Sequence, residues 1–147
     1  ASVNIYYLHE LSDIYAREAL GTARAQTMAR AGTLSRHGIA FALHSDYTMA
    51  PAQPLNSAWV AVNRRNFAGD IVGPEERVSV EQALRAITTD AAYVLGLEHE
   101  VGTLQPGKRA DFTVLEQDPF EVPPEDLRDI RIWGTVFGGT PAPLKDN

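Results

Sequence analysis

The sequence predicts an α/β fold, on three observations from its first third. Residues 3–8 (VNIYYL) are β-branched and aromatic, which suits a strand. Residues 22–36 are Ala-rich and free of Pro, carry Met28, Ala31 and Leu34 at helical spacing and meet Gly38 as a stop, which predicts a helix. Residues 39–44 (IAFALH) form a short apolar run between Gly38 and the polar pair Ser45-Asp46, the pattern of a strand covered on both faces. A crossover of this length joins two parallel strands with a right-handed connection.

Length and composition bound the rest. A chain of 147 residues with 44% apolar side chains supports one compact domain with a core. Thirteen Lys and Arg against 19 Asp and Glu give a net charge of −6, and no basic tract is present to neutralise a row of phosphates, so nucleic acid is not an expected partner. The absence of Cys excludes disulfides, thiolate metal sites and Cys nucleophiles, leaving His, Asp, Glu or a modified side chain as metal ligands. No apolar run approaches the roughly 18 residues of a membrane span, and ASVNIYYLHE carries neither a basic leader nor a signal-type stretch; the expectation is a soluble, cytoplasmic chain with no membrane partner.

Beyond Asp46 a Pro-punctuated stretch precedes a predicted helix over 55–65. A further helix begins at Ser79, whose spacing to Gln82 fits a capping box; Val80, Leu84, Ile87, Ala91 and Leu95 recur on one face and Gly96 closes it. Residues 101–104, the Gln105-Pro106-Gly107-Lys108 tetrad and residues 112–115 read as a hairpin. A short Pro-led helix over 124–127 and a strand over 130–137 follow. Two parallel strands, each with both faces to cover, do not make a closed sheet, so the architecture reads as incomplete.

Alternation along 39–46 puts Ala40, Ala42, His44 and Asp46 on one face and Ile39, Phe41 and Leu43 on the other. The small residues then leave room inside a barrel, and His44 and Asp46 arrive at the carboxyl end of the strand, where α/β barrels place catalytic groups. A carboxylate there binds a divalent metal or accepts a proton; the alternative is that Asp46 caps the following turn. His44 is either a ligand or a hydrogen-bonded core group. His9 and Tyr7 lie at the end of the other candidate strand, as substrate contacts at the same mouth or as ordinary rim residues. Arg64, with Arg65, either clamps an anionic substrate group or sits at a helix end where a cation suits the dipole.

The order of motifs carries a resemblance. LHSD at 43–46, P-x-x-P-L at 51–55 and AVNR at 61–64 are similar to the last barrel strand and following loop of the amidohydrolase superfamily. The stretch 79–120, with A-L-x-x-x-T leading to G-x-L-x-x-G-x-x-A-D and V-L-x-x-D-P, resembles the C-terminal signature of its amidohydrolase family 3 group of metal-dependent hydrolases. The resemblance implies a distorted (β/α)8 barrel with a small β-sandwich, and hydrolysis of non-peptide C–N bonds by metal-activated water. It makes Asp46, by motif position, the metal ligand and proton acceptor, with His44 beside it, and a divalent metal, zinc, as one or two ions in the complete enzyme. Gly102, Gly107 and Asp111 belong to the structural signature of the sandwich hairpin.

The family's H-x-H, its bridging acidic or modified Lys residue and its two later histidines have no counterpart here. A barrel of this kind needs about 250 residues. The expected architecture is therefore the last two β/α units of an incomplete barrel over 1–98, then sandwich strands over 99–147. Two functions follow as expectations. One is part of an amidohydrolase acting on a small-molecule substrate, inactive in isolation and completed by the remainder of the barrel in the same or another chain. The other is a non-catalytic folding or interaction module that pairs with a partner chain or with itself as a homo-oligomer.

Overall fold

The computed structural model describes residues 1–144. Strands β1 (Ser2–Asn4) and β2 (Ala42–His44) pair in parallel, with Ser2 opposite Ala42, Val3 opposite Leu43 and Asn4 opposite His44, as the strand–helix–strand pattern predicts. Both are shorter than their apolar runs. The expected strand over 3–8 ends at Asn4, whose Oδ1 accepts the main-chain N–H of Tyr6 at 3.1 Å, and helix α1 occupies Tyr6–Glu18. Ile5, Leu8, His9 and Ser12 are all buried; their i, i+3, i+4, i+7 spacing is a helical period that overrides the β-leaning composition.

The helix expected over 22–36 is two helices, α2 (Thr22–Ala25) and α3 (Ala31–Arg36). Between them Ala29 takes a left-handed conformation (φ 48°), and the carbonyls of Met28 and Ala29 accept hydrogen bonds from Arg64. A long-range side chain thus overrides local Ala propensity.

Helix α4 (Pro54–Asn63) starts with Pro in its first turn and buries Ser57 through Val62 without interruption. A helix apolar on all sides is a central one; it meets α1, β2, α5 and the 3₁₀ turn Pro124–Asp129. Trp59 Nε1 donates to the Glu125 carbonyl at 2.6 Å and Asn63 Nδ2 to that of Pro124 at 2.8 Å, fixing that turn, whose Leu127 is wholly buried. The Pro-led segment expected as a short helix is therefore a 3₁₀ turn.

The capping box forms: Ser79 Oγ accepts from the Gln82 main chain and Gln82 Oε1 from that of Ser79. The helix it starts, α5 (Val80–Ala86), breaks before α6 (Thr89–Val94), where Thr88 Oγ1 donates to the Leu84 carbonyl at 2.7 Å. The most deeply buried positions are Ala83, Ala86 and Ala92; of the expected face Val80 and Ile87 pack partly buried against the core, while Leu95 is 71% exposed.

Residues 101–104 do not form the expected strand. Gly102 (φ +92°) lies so close to α6 that a Cβ there would stand 2.6 Å from the Ala92 Cβ, and this docking draws the segment away from β pairing. The 105–108 turn is present, with Lys108 N donating to the Gln105 carbonyl at 3.2 Å. Strand β3 (Phe112–Leu115) pairs instead with β4 (Ile132–Phe137), which starts later than expected because Ile130 is buried in the core. An unexpected strand β5 (Thr140–Pro143) follows the two-residue turn Gly138-Gly139, giving an antiparallel sheet of order β3-β4-β5. Its prolines sit on an edge strand, where a missing donor costs no ladder bond. No helix among the described residues is long and apolar enough to cross a membrane.

Candidate functional site

At the carboxyl ends of β1 and β2 a cavity of about 580 Å³ opens. Its walls are Ser2, Val3 and Asn4 of β1, Tyr7 and Tyr15 of α1, Met28 and Ala29 between α2 and α3, and His44 and Asp46 at and beyond the end of β2. The alternation along 39–46 explains the last two. Phe41 and Leu43 enter the core, while His44 and Asp46 remain exposed at the strand end. Asp46 itself is left-handed (φ 53°) and its carbonyl accepts the N–H of Met49 at 2.6 Å, closing the turn after the strand.

Of the five residues singled out in the sequence, the fold brings Asp46, His44 and Tyr7 to this one cavity. His9 lies elsewhere, lining a separate cavity of about 260 Å³ with Trp59, Arg65, Asn66, Phe67, Gly69 and Arg128. Its Nδ1 is 2.8 Å from the Arg65 carbonyl, and its ring stands edge-on to Tyr6, Trp59 and Phe67. The reason is helical: with residues 6–18 in α1, Tyr7 and His9 project about 200° apart. Tyr15, two turns on, shares the stripe of Tyr7 and is a wall the strand reading missed.

Arg64 is wholly buried and contacts neither cavity's open face. Its Nε donates to the Val72 carbonyl at 2.8 Å, Nη1 to Ala29 at 2.7 Å and Nη2 to Met28 at 2.9 Å. Burial lowers its pKa to about 10, opposed through space by the carboxylates of Glu76 and Glu75, so the guanidinium stays charged at neutral pH. It therefore stands behind the Met28–Ala29 wall instead of reaching a substrate as an anion clamp.

An aspartate oxygen and an imidazole nitrogen are donors of the kind a divalent cation takes. Among the described residues no group of three or more His, Asp or Glu could hold a metal ion, and these two donors alone fall short of the three protein ligands a catalytic zinc takes.

Comparison with known proteins agrees with the motif order. The chain is 33% identical over 102 residues to the N-substituted formamide deformylase of Arthrobacter pascens, covering 69% of this chain and 19% of that protein. Two solved structures share its fold. One is an uncharacterized metal-dependent hydrolase from Pyrococcus horikoshii (TM-score 0.69, 26% identity, 84% of this chain and 25% of that one). The other, from Pyrococcus furiosus and described in the same words, aligns with TM-score 0.60 and 33% identity over 74% of this chain and 21% of that one. The chain thus spans about a fifth of the length of the curated relatives it matches. The amidohydrolase family's sequence profile runs through β1, β2, the Asp46 turn and the C-terminal sheet alike, matching residues 1–142, and this chain belongs to that family.

Proposed function

We propose that this chain is the C-terminal portion of a metal-dependent amidohydrolase that hydrolyses non-peptide C–N bonds, with Asp46 as metal ligand and proton acceptor and His44 as a neighbouring donor. The observation that carries the reading is the meeting of Asp46, His44 and Tyr7 at one cavity on the carboxyl ends of two parallel strands. That is the catalytic end of a (β/α)8 barrel, and β1 and β2 take the places of its seventh and eighth strands. Residues 1–98 then belong to the barrel and residues 99–147 to a β-sandwich that includes β3, β4 and β5. The remaining strands and ligands come from the rest of the barrel, in the same or another chain.

Hydrolysis joins water to the amide carbonyl carbon and breaks the C–N bond. Asp46, exposed and at the strand end, takes the proton of the attacking water on a carboxylate oxygen and returns it to the leaving nitrogen. A divalent cation, zinc in this reading, supplies when bound the polarisation of the carbonyl and a lower pKa for water. Tyr7 and Tyr15 give the substrate an apolar wall with two hydroxyls. The similarity to a formamide deformylase makes N-substituted formamides the first substrates to try.

The test is amine release from such formamides by the complete protein, before and after chelation and on zinc return. Turnover lost on chelation and restored by zinc supports the reading; absence of turnover by the zinc-loaded protein, or turnover indifferent to chelation, contradicts it. A second reading, a non-catalytic module pairing with a partner chain, is favoured by the two-stranded sheet, whose outer edges have no neighbour among the described residues. Native mass with metal content separates the two: a partnered species without metal supports the module.

A further inference from the structure

Among the described residues three that are not glycine hold positive φ: Ala29 (48°), Asp46 (53°) and Arg64 (56°). Backbone strain of this kind persists only where surrounding structure enforces it, and it gathers at functional sites. Here two of the three are at one cavity and the third is hydrogen-bonded to its wall. Ala29 and Asp46 line it, and Arg64 holds Ala29 from behind.

The grip is specific. A guanidinium carries its donors in a rigid planar fork, and Arg64 spends three of them on the carbonyls of Val72, Ala29 and Met28. Val72 is at the core, so its carbonyl anchors the fork, while the other two bonds reach the turn that forms the cavity wall. Gly73, beside the fork, holds the chain just before that turn at Gln26. Its N–H donates to Gln26 Oε1, and a Cβ there would lie 1.9 Å from the Gln26 carbonyl oxygen and 3.0 Å from Arg64 Nη2. Neither carbonyl of Met28 or Ala29 is satisfied by a continuing helix, because α2 ends at Ala25 and α3 begins at Ala31. The Ala29 carbonyl also accepts the N–H of Ala31 at 2.8 Å, so the fork and this local turn together set the wall's position.

We infer that Arg64 is a positioning residue: by fixing the Met28–Ala29 wall of the cavity that Asp46 and His44 also line, it sets which substituent on the substrate nitrogen the cavity accepts. The inference rests on the amidohydrolase reading for the substrate class, and on the hydrogen bonds alone for the clamp.

The experiment compares the complete protein with Arg64→Lys and Met28→Ala, measuring kcat and KM for formamides whose nitrogen substituent grows from methyl to butyl to benzyl. An ammonium cannot reproduce the planar fork. Arg64→Lys is expected to change the ratio of kcat/KM between the largest and smallest substrates by about tenfold, the effect lying in KM, and Met28→Ala to move the same ratio. Loss by one common factor across the series overturns the inference. An independent readout is NMR of 13C-methyl methionine, with Met28 assigned by Met28→Leu. Arg64→Lys should shift or broaden the Met28 signal and leave that of Met49 in place; an unmoved Met28 signal overturns the clamp. If Arg64→Lys does not fold, Ala29→Gly loosens the same wall by removing a single methyl group, and an unchanged ratio in both Ala29→Gly and Met28→Ala overturns the inference. If the wild-type protein turns over no formamide, it is the amidohydrolase reading that fails, and the methionine spectra decide the clamp by themselves.

Discussion

Replacing Glu76 by Gln removes the charge that ties α3 to the 3₁₀ turn Pro74–Glu76, next to the cavity wall. The carboxylate is 3% exposed. It accepts the main-chain N–H of Thr33 at 2.6 Å and the Thr33 hydroxyl, and lies 3.4 Å from Arg36 Nη2 and 3.6 Å from Arg30 Nε. Burial acts to raise its pKa, but the Thr33 hydrogen bonds and the charges of Arg36 and Arg30 outweigh it and hold the carboxyl below the ordinary 4.5. A carboxamide keeps the volume and one acceptor, but turns its NH2 toward a group that was donating. Hydrogen bonds to a charged group contribute about 1.5–3 kcal/mol. The arginine side chains are 54% and 60% exposed, so their ion pairs add at most about 1 kcal/mol. The expected cost near neutral pH is about 2–3 kcal/mol. Because the folded pKa is depressed, this stabilisation is complete above the unfolded value and is lost as pH falls through the folded one. Urea unfolding followed by Trp fluorescence should therefore show a gap between wild type and Glu76→Gln at neutral pH that narrows in acid. A gap under about 0.5 kcal/mol at neutral pH, or one independent of pH, refutes this reasoning.

Three further outcomes follow from the fold. Gly102→Ala forces a left-handed Ala against Ala92 and should lower stability by about 2–3 kcal/mol in thermal or urea unfolding; a loss below about 1 kcal/mol would mean the segment is not docked on α6. Ser79→Ala opens the capping box and should cost about 1 kcal/mol by the same measurement, with faster amide exchange in the first turn of α5. Trp59→Phe leaves the Glu125 carbonyl without its donor and shrinks the ring on which Arg128 stacks at 3.8 Å, and should cost about 1–3 kcal/mol; a neutral result would place the 3₁₀ turn's anchor elsewhere.

What the sequence showed and what it hid divide along the range of the interactions involved. The delivery of His44 and Asp46 to a strand end and the capping box at Ser79 depend on residues within a few positions of one another, and periodicity or spacing carries them, while the pairing of β1 with β2, about 40 residues apart, is reached through the strand–helix–strand order. The break between α2 and α3 was hidden because its cause, Arg64, lies 35 and 36 residues away from the carbonyls it takes. Residues 101–104 have strand composition, but contact with Ala92 decides their course. The start of α1 was misread where Ile5, Tyr6 and Tyr7 look like a strand and only the burial of Leu8, His9 and Ser12 exposes the helical period; that error also misplaced His9. Strand β5 was masked by Pro141 and Pro143, which an edge tolerates. Arg64 shows the limit of residue chemistry: a cation at a helix end looks like an anion clamp until its side chain is found turned inward onto three carbonyls.

The central claim is that Asp46 carries the proton. Asn matches Asp in volume and adopts the left-handed backbone of this position readily, so Asp46→Asn removes the carboxylate while leaving the turn in place. Measured in the complete protein with an N-substituted formamide, kcat/KM should fall by about 10²–10⁴-fold at an unchanged unfolding midpoint. Turnover equal to that of the wild type would contradict the assignment of Asp46.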